Sequence, residues 1–303
     1  MSTDHTVDTW FKMEEETNYA EGGGSSEYDA TLAALVSEFT IACAFPRGDL
    51  TMPYTVFDRE EVRGVGDDEE TVHLFNKDKT KKDCSTKHFL QNKVFIVAAI
   101  SATAGLPGTS YWMHWQKPEG DFESFGMVVQ EYTFEASGVG DFPTESIKWH
   151  YYSVDDGAAN FAKEAFVETQ PMTMKDIVLN IEAADVIYKS ISLAITNEFE
   201  EFKQGGAWEN KKPRLLNRNY ELSLTFQSPQ SGLVSDPSEE AVDDTLDVII
   251  NIGTVANSGW LVTLNNMYVK ESNIEHIPEF GMYEYTLTLG IGEGFTSSIA
   301  DAS

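Results

Sequence analysis

The chain has 303 residues, and its 50 acids against 21 bases give a net charge of −29 and a pI near 4.4. That balance excludes a free-standing nucleic-acid binder, which needs basic surface to displace counterions from phosphates. It fits a surface that nucleic acid slides past without sticking, and equally a surface kept hydrated at high salt. Hydrophobic residues make up 41% and mean hydropathy is −0.30, enough for an ordinary core. No apolar run approaches the ~20 residues needed to cross a bilayer, and Met1 to Asp8 lack the pattern of a secretory leader.

Residues 1–30 read as an extended N-terminal arm, because Glu14-Glu15-Glu16 and Gly22-Gly23-Gly24-Ser25-Ser26 offer little to bury. Trp10, Phe11 and Tyr19 are the exceptions, and aromatics in a polar arm dock on the same subunit or a neighbour. Residues 31–303 read as one elaborated domain. Residues 58–88 read as a long charged loop, or a hairpin, with the acidic block Asp67, Asp68, Glu69 and Glu70 followed by a basic block from Lys77 to Lys87.

Phe89, Leu90, Val94, Val97 and Ala98 fall at near-helical spacing, so a short buried helix is expected over 89–100, ended by Gly105-Leu106-Pro107-Gly108. Period-two alternation then takes over. Tyr111, Met113 and Trp115 share one strand face, and Phe125, Met127 and Val129 begin a return strand. Trp149 and Tyr151 lead to a turn at Asp155-Asp156-Gly157.

The second half alternates most clearly. Ile177, Leu179 and Ile181 form one strand face, Ile191, Leu193 and Ile195 another, and Tyr220, Leu222, Leu224 and Phe226 a third. Val248, Ile250 and Ile252 follow, then Trp260, Val262 and Leu264, then Tyr283, Tyr285, Leu287 and Leu289. Asp236-Pro237-Ser238-Glu239 carries the signature of a helix start. The expectation is a mainly β chain: an antiparallel β-sandwich or open barrel with one or two short helices.

Chemistry-bearing motifs are missing. The six histidines form no metal-ligand spacing, and Cys43 and Cys84 make no disulfide framework. There is no nucleophile elbow, P-loop or dinucleotide-binding glycine pattern. Gly64-Val65-Gly66 and Gly290-Ile291-Gly292-Glu293-Gly294 read as turn or tail punctuation. Trp112, Trp115 and Trp149 could line a sugar-stacking groove beside two carboxylates, the arrangement a glycosidase needs. The expectation is a structural protein with no catalytic residue, metal or cofactor.

From Asp176 onward the order of segments resembles the major tail tube proteins of long-tailed bacterial and archaeal viruses. It runs through a strand at Asp176–Ile181, a reversal at Ala183-Ala184-Asp185 and a strand at Lys189–Asn197. Pro213–Tyr220 then leads into Glu221–Phe226, followed by Leu261–Tyr268 and Glu279–Leu289. Glu16-Thr17-Asn18-Tyr19-Ala20-Glu21 resembles the arm of that family, with Ala20 where a glycine is usual, and 88–100 matches the position of its helix. Residues 58–88 and 138–170 have no counterpart, and the second reads as a possible insertion.

The resemblance implies a subunit made in the host cytoplasm that assembles with itself into stacked, hexameric rings of a virion tail tube. It implies tape-measure, tail terminator and baseplate proteins as partners, with DNA in transit through an acidic lumen. Trp10, Phe11, Tyr19 and the acidic block at 67–70 would make contacts between subunits. The alternatives are another ring-forming tail or baseplate component, and a carbohydrate-binding or glycosidase β-sandwich.

Overall fold

The computed structural model describes residues 10–16, 50–51, 55–63, 71–81, 84–90, 93–103, 106–117, 120–138, 142–155, 172–200, 213–226, 245–253, 259–277 and 282–301. They form a mainly β structure: an antiparallel sheet curled into a half-barrel, with one short α-helix.

The strands are β1 (Trp10–Glu15), β2 (Leu50–Thr51), β3 (Thr55–Arg63), β4 (Thr71–Lys81), β5 (Cys84–Phe89), β6 (Tyr111–Lys117), β7 (Gly120–Ser137) and β8 (Thr144–His150). After β9 (Ser153–Asp155) come β10 (Ile177–Ile181), β11 (Ala184–Val186), β12 (Ser190–Glu200), β13 (Arg214–Phe226), β14 (Thr245–Ile252), β15 (Trp260–Ile277) and β16 (Met282–Asp301). Eleven of them follow one path, β11-β10-β14-β15-β16-β13-β12-β7-β8-β5-β2, with β6, β1 and β9 branching from β7. The charged segment that begins near residue 58 is a hairpin, β3 against β4, in a two-stranded sheet of its own.

Alternation decides which side of each strand is buried. Ile177, Leu179 and Ile181, Ile191, Leu193 and Ile195, and Leu222, Leu224 and Phe226 all point inward, and with Val248, Ile250, Val262 and Leu264 they join one buried cluster. Each inward Leu or Ile contributes about 1.5–3 kcal/mol by leaving water. Residues 144–150 of the expected insertion are an integral strand of this sheet, since β8 lies between β7 and β5.

The helix, α1 (Val94–Ser101), starts later than its spacing suggested, because His88 and Phe89 belong to β5. Phe95, Ile96, Ala98 and Ala99 are buried against the sheet. Its end is held by strand side chains. Asn197 donates to the carbonyls of Ala99 and Val129, both at 2.9 Å. Arg218 donates to Ile100 O (3.0 Å), Ala102 O (2.6 Å) and Asn197 Oδ1 (2.7 Å). Carbonyls that a helix end leaves without partners are thus satisfied by two strands. The helix expected at Asp236 lies outside the described residues.

Gly290 to Gly294 is the interior of β16 rather than punctuation. At this point the sheet turns a corner. The ladder between β15 and β16 passes from Asn265↔Thr296 to Met267↔Ile291, so two steps on one strand meet five on the other. Asn266 takes φ +58° and Gly294 φ +71°, and the Asn266 side-chain amide donates to Gly294 O at 3.0 Å. A Cβ on Gly292 would sit 2.4 Å from the Asn266 carbonyl oxygen, so only glycine allows the approach.

Candidate assembly surface

The features that bear on assembly are the borders of the sheet, because an unpaired strand edge is a template for pairing with another chain. The terminal strands β11 and β2 have three and two residues, which leaves them little to offer. The long hairpin of β15 and β16 is different. The ladder from β14 ends at Tyr268, so among the described residues Val269–Ile277 of β15 pairs only with β16. The ladder from β13 covers only Tyr285–Leu289 of β16, so among the described residues Gly290–Asp301 pairs only with β15. Two long one-sided edges therefore flank the corner at Asn266.

The described part of the arm is a strand. β1 forms a six-residue antiparallel ladder with β6 of the same subunit, which sets Trp10 opposite Gln116 and Phe11 opposite Trp115. Glu16 extends the anchor: its N–H donates to Ser110 O at 2.9 Å and its carboxylate accepts from Gly126 N at 3.1 Å. The backbone of residues 10–16 is thus secured within the subunit. Tyr19 and the block Asp67, Asp68, Glu69 and Glu70 lie outside the described residues.

The outward face of β7, β8, β12, β13 and the adjoining part of β16 carries charge in pairs. Lys148 lies 3.2 Å from Glu131, Lys189 lies 2.7 Å from Glu284, and Lys270 bonds Glu221. The Glu221 carboxylate raises the Lys270 ammonium above its ordinary value. These exposed pairs contribute little to stability.

One polar cluster is fully internal. His88 on β5 and Glu145 on β8 are register partners with no exposed side-chain surface, and Nε2 lies 3.0 Å from Oε1. Phe95 covers the imidazole, with ring centroids 4.4 Å apart. The Tyr132 hydroxyl faces Glu145, and burial together with that carboxylate holds its ionisation well above the usual range. Trp149 donates to Thr86 Oγ1 at 3.1 Å beside them. The sequence hid this cluster because Thr86, His88 and Glu145 occupy inward positions that a strand pattern assigns to apolar residues. The other histidine with a described side chain, His150, rests near Phe199, with ring centroids 5.9 Å apart. Burial also pushes the Cys84 thiol far up, which leaves it unreactive at neutral pH.

Of the three tryptophans considered for a sugar-stacking groove, the Trp115 side chain lies outside the described ones, and the other two are buried. Trp112 is 3% exposed and Trp149 2% exposed, so neither ring face is open to a ligand. Among the described residues no group of three or more His, Cys, Asp or Glu side chains could hold a metal ion.

No protein-family model matches the chain, and a search of curated proteins found no match.

Proposed function

We propose that the chain is a structural subunit of a viral tail tube, which works by assembling with copies of itself into stacked rings around a channel for DNA. The observation that carries the proposal is the open half-barrel with its two long one-sided edges on β15 and β16. A sheet left open in this way gains backbone pairing when neighbours supply the missing strands, and closure around a ring removes the edges. The strand order from Asp176 to Leu289 supports the same reading through its resemblance to tail tube proteins. The charge of −29 gives it a physical use, because an acidic lumen repels the polyanion passing through it.

The internal ladder of β1 leaves residues after 16 as the part of the arm that would reach an adjacent ring. Tape-measure, terminator and baseplate proteins are the partners that such a tube implies. Sedimentation of the purified chain over a range of concentrations and salts tests the proposal: assemblies of many subunits are expected. Species that stop at a single closed ring would favour a terminator or baseplate component, and a monomer under every condition would refute self-assembly.

A further inference from the structure

Val248 to Val269 is a run of 22 residues without a charged side chain, where the chain-wide 23% would place about five. Ile177 to Ile181 and Gly294 to Ala300 are also charge-free. The fold gathers these separate stretches into adjacent strands, in the order β10, β14, β15 and the last part of β16.

Their outward side chains stand in register. Val178, Asn251, Leu261 and Ala300 form one row across the four strands. Asn180, Ile249, Thr263 and Ser298 form the next. Val178 is 44% exposed, and Ser298 and Ala300 are exposed as well. Among the described residues acids stand only at the border, with Glu182, Asp185, Asp247 and Glu293 exposed at the corner end, and Asp176 and Asp301, the latter paired to Lys93, at the other. The outward face of β7, β12, β13 and the adjoining part of β16, by contrast, carries Glu135 together with Glu131, Glu221 and Glu284 and the lysine partners of those three.

We infer that this neutral face of β10, β14, β15 and β16 is the surface by which one copy of the chain packs against a second copy. The inference rests on the self-assembly reading and locates its contact. Two chains of −29 repel each other, and burying any of their charged faces adds the cost of desolvating ions. A face with neither sign of charge is the one that two such chains can bury with the least opposition. The same lack of charge gives it nothing to complement a basic or an acidic partner. It also continues directly into the one-sided edge of β16, so a copy seated there lies beside backbone groups that lack a partner strand among the described residues. The acidic border makes the contact salt-sensitive: screening at high ionic strength strengthens it.

The test places one charge in the face. Thr263→Glu and, separately, the more exposed Ser298→Glu are compared with Ser192→Glu, which adds the same charge on the opposite face beside Glu135. Thr263→Val keeps the face neutral. Association is followed by sedimentation at roughly 0.15 M and roughly 1 M salt, where screening lengths are ~8 Å and ~3 Å, with thermal unfolding confirming each variant's fold. The concentration for half-assembly is expected to rise at least ~10-fold for both patch variants, equivalent to about 1.4 kcal/mol. The Ser192→Glu and Thr263→Val proteins are expected to assemble as the parent does. If Ser298→Glu folds and assembles like the parent, the face is not the contact while self-assembly stands. If the parent itself stays monomeric, both readings fall.

Discussion

Replacing Glu145 with leucine removes the carboxylate that faces both His88 Nε2, at 3.0 Å, and the Tyr132 hydroxyl, in a site with no exposed surface. The volume is nearly kept, so the effect is one of polarity rather than packing. Removing one partner of a buried pair costs about 3–5 kcal/mol, because the remaining group stays buried without its partner. Against a total stability of roughly 5–15 kcal/mol this is a large fraction. It corresponds to a fall in Tm on the order of 10 °C at roughly 2–4 °C per kcal/mol. Converting both residues, His88→Leu with Glu145→Leu, removes the mismatch and should recover most of the loss. Tyr132 then still lacks its carboxylate, so adding Tyr132→Phe should recover about 1 kcal/mol more. Urea unfolding followed by tryptophan fluorescence reads the series, since Trp149 sits beside the cluster. A double variant that loses as much as the two single losses added together would show that the groups are not coupled, and the reasoning would fail.

Other consequences are open to the same kind of measurement. Gly292→Ala is expected to destabilise by about 1–3 kcal/mol, the usual range for overpacking, since its Cβ meets backbone at 2.4 Å. Gly290→Ala should cost less, because its Cβ meets the Tyr268 ring at 3.1 Å and a side chain can move. Arg218→Ala removes donors from Ile100 O, Ala102 O and Asn197 Oδ1, and should speed amide exchange in α1 before it affects the strands. The folded state holds Tyr132 well above its ordinary ionisation and Tyr188 up to about 12, both chiefly by burial. Their contribution is fully present below pH ~10, the unfolded value, and is lost as pH rises further. Alkaline melts should therefore show Tm falling above that point, with less fall in Tyr188→Phe.

How far the sequence could be read depended on which faces the strands bury. β10, β12, β13 and β14 each bury every second residue as an apolar face, and that alternation located them directly. β15 was expected over 260–268 yet runs to Ile277, because beyond Tyr268 it leaves β14 and Lys270–Asn273 are exposed, so no alternation is required. β5 was placed in a charged loop because its inward residues include Thr86 and His88, whose polarity is met by Trp149 and Glu145 on the adjacent strand. The glycines of β16 suggested a turn, since a close approach to the Asn266 backbone cannot be inferred from composition. Likewise, the one-sided edges of β15 and β16 depend on register between strands far apart in the chain, which local patterns do not encode.

Electron imaging of the purified, assembled chain tests the central claim most directly. The account predicts rings that stack into long open tubes with a central channel and a regular axial repeat, more abundant as salt screens the −29 charge. Isolated single subunits at every concentration and salt, with neither rings nor tubes, would contradict it.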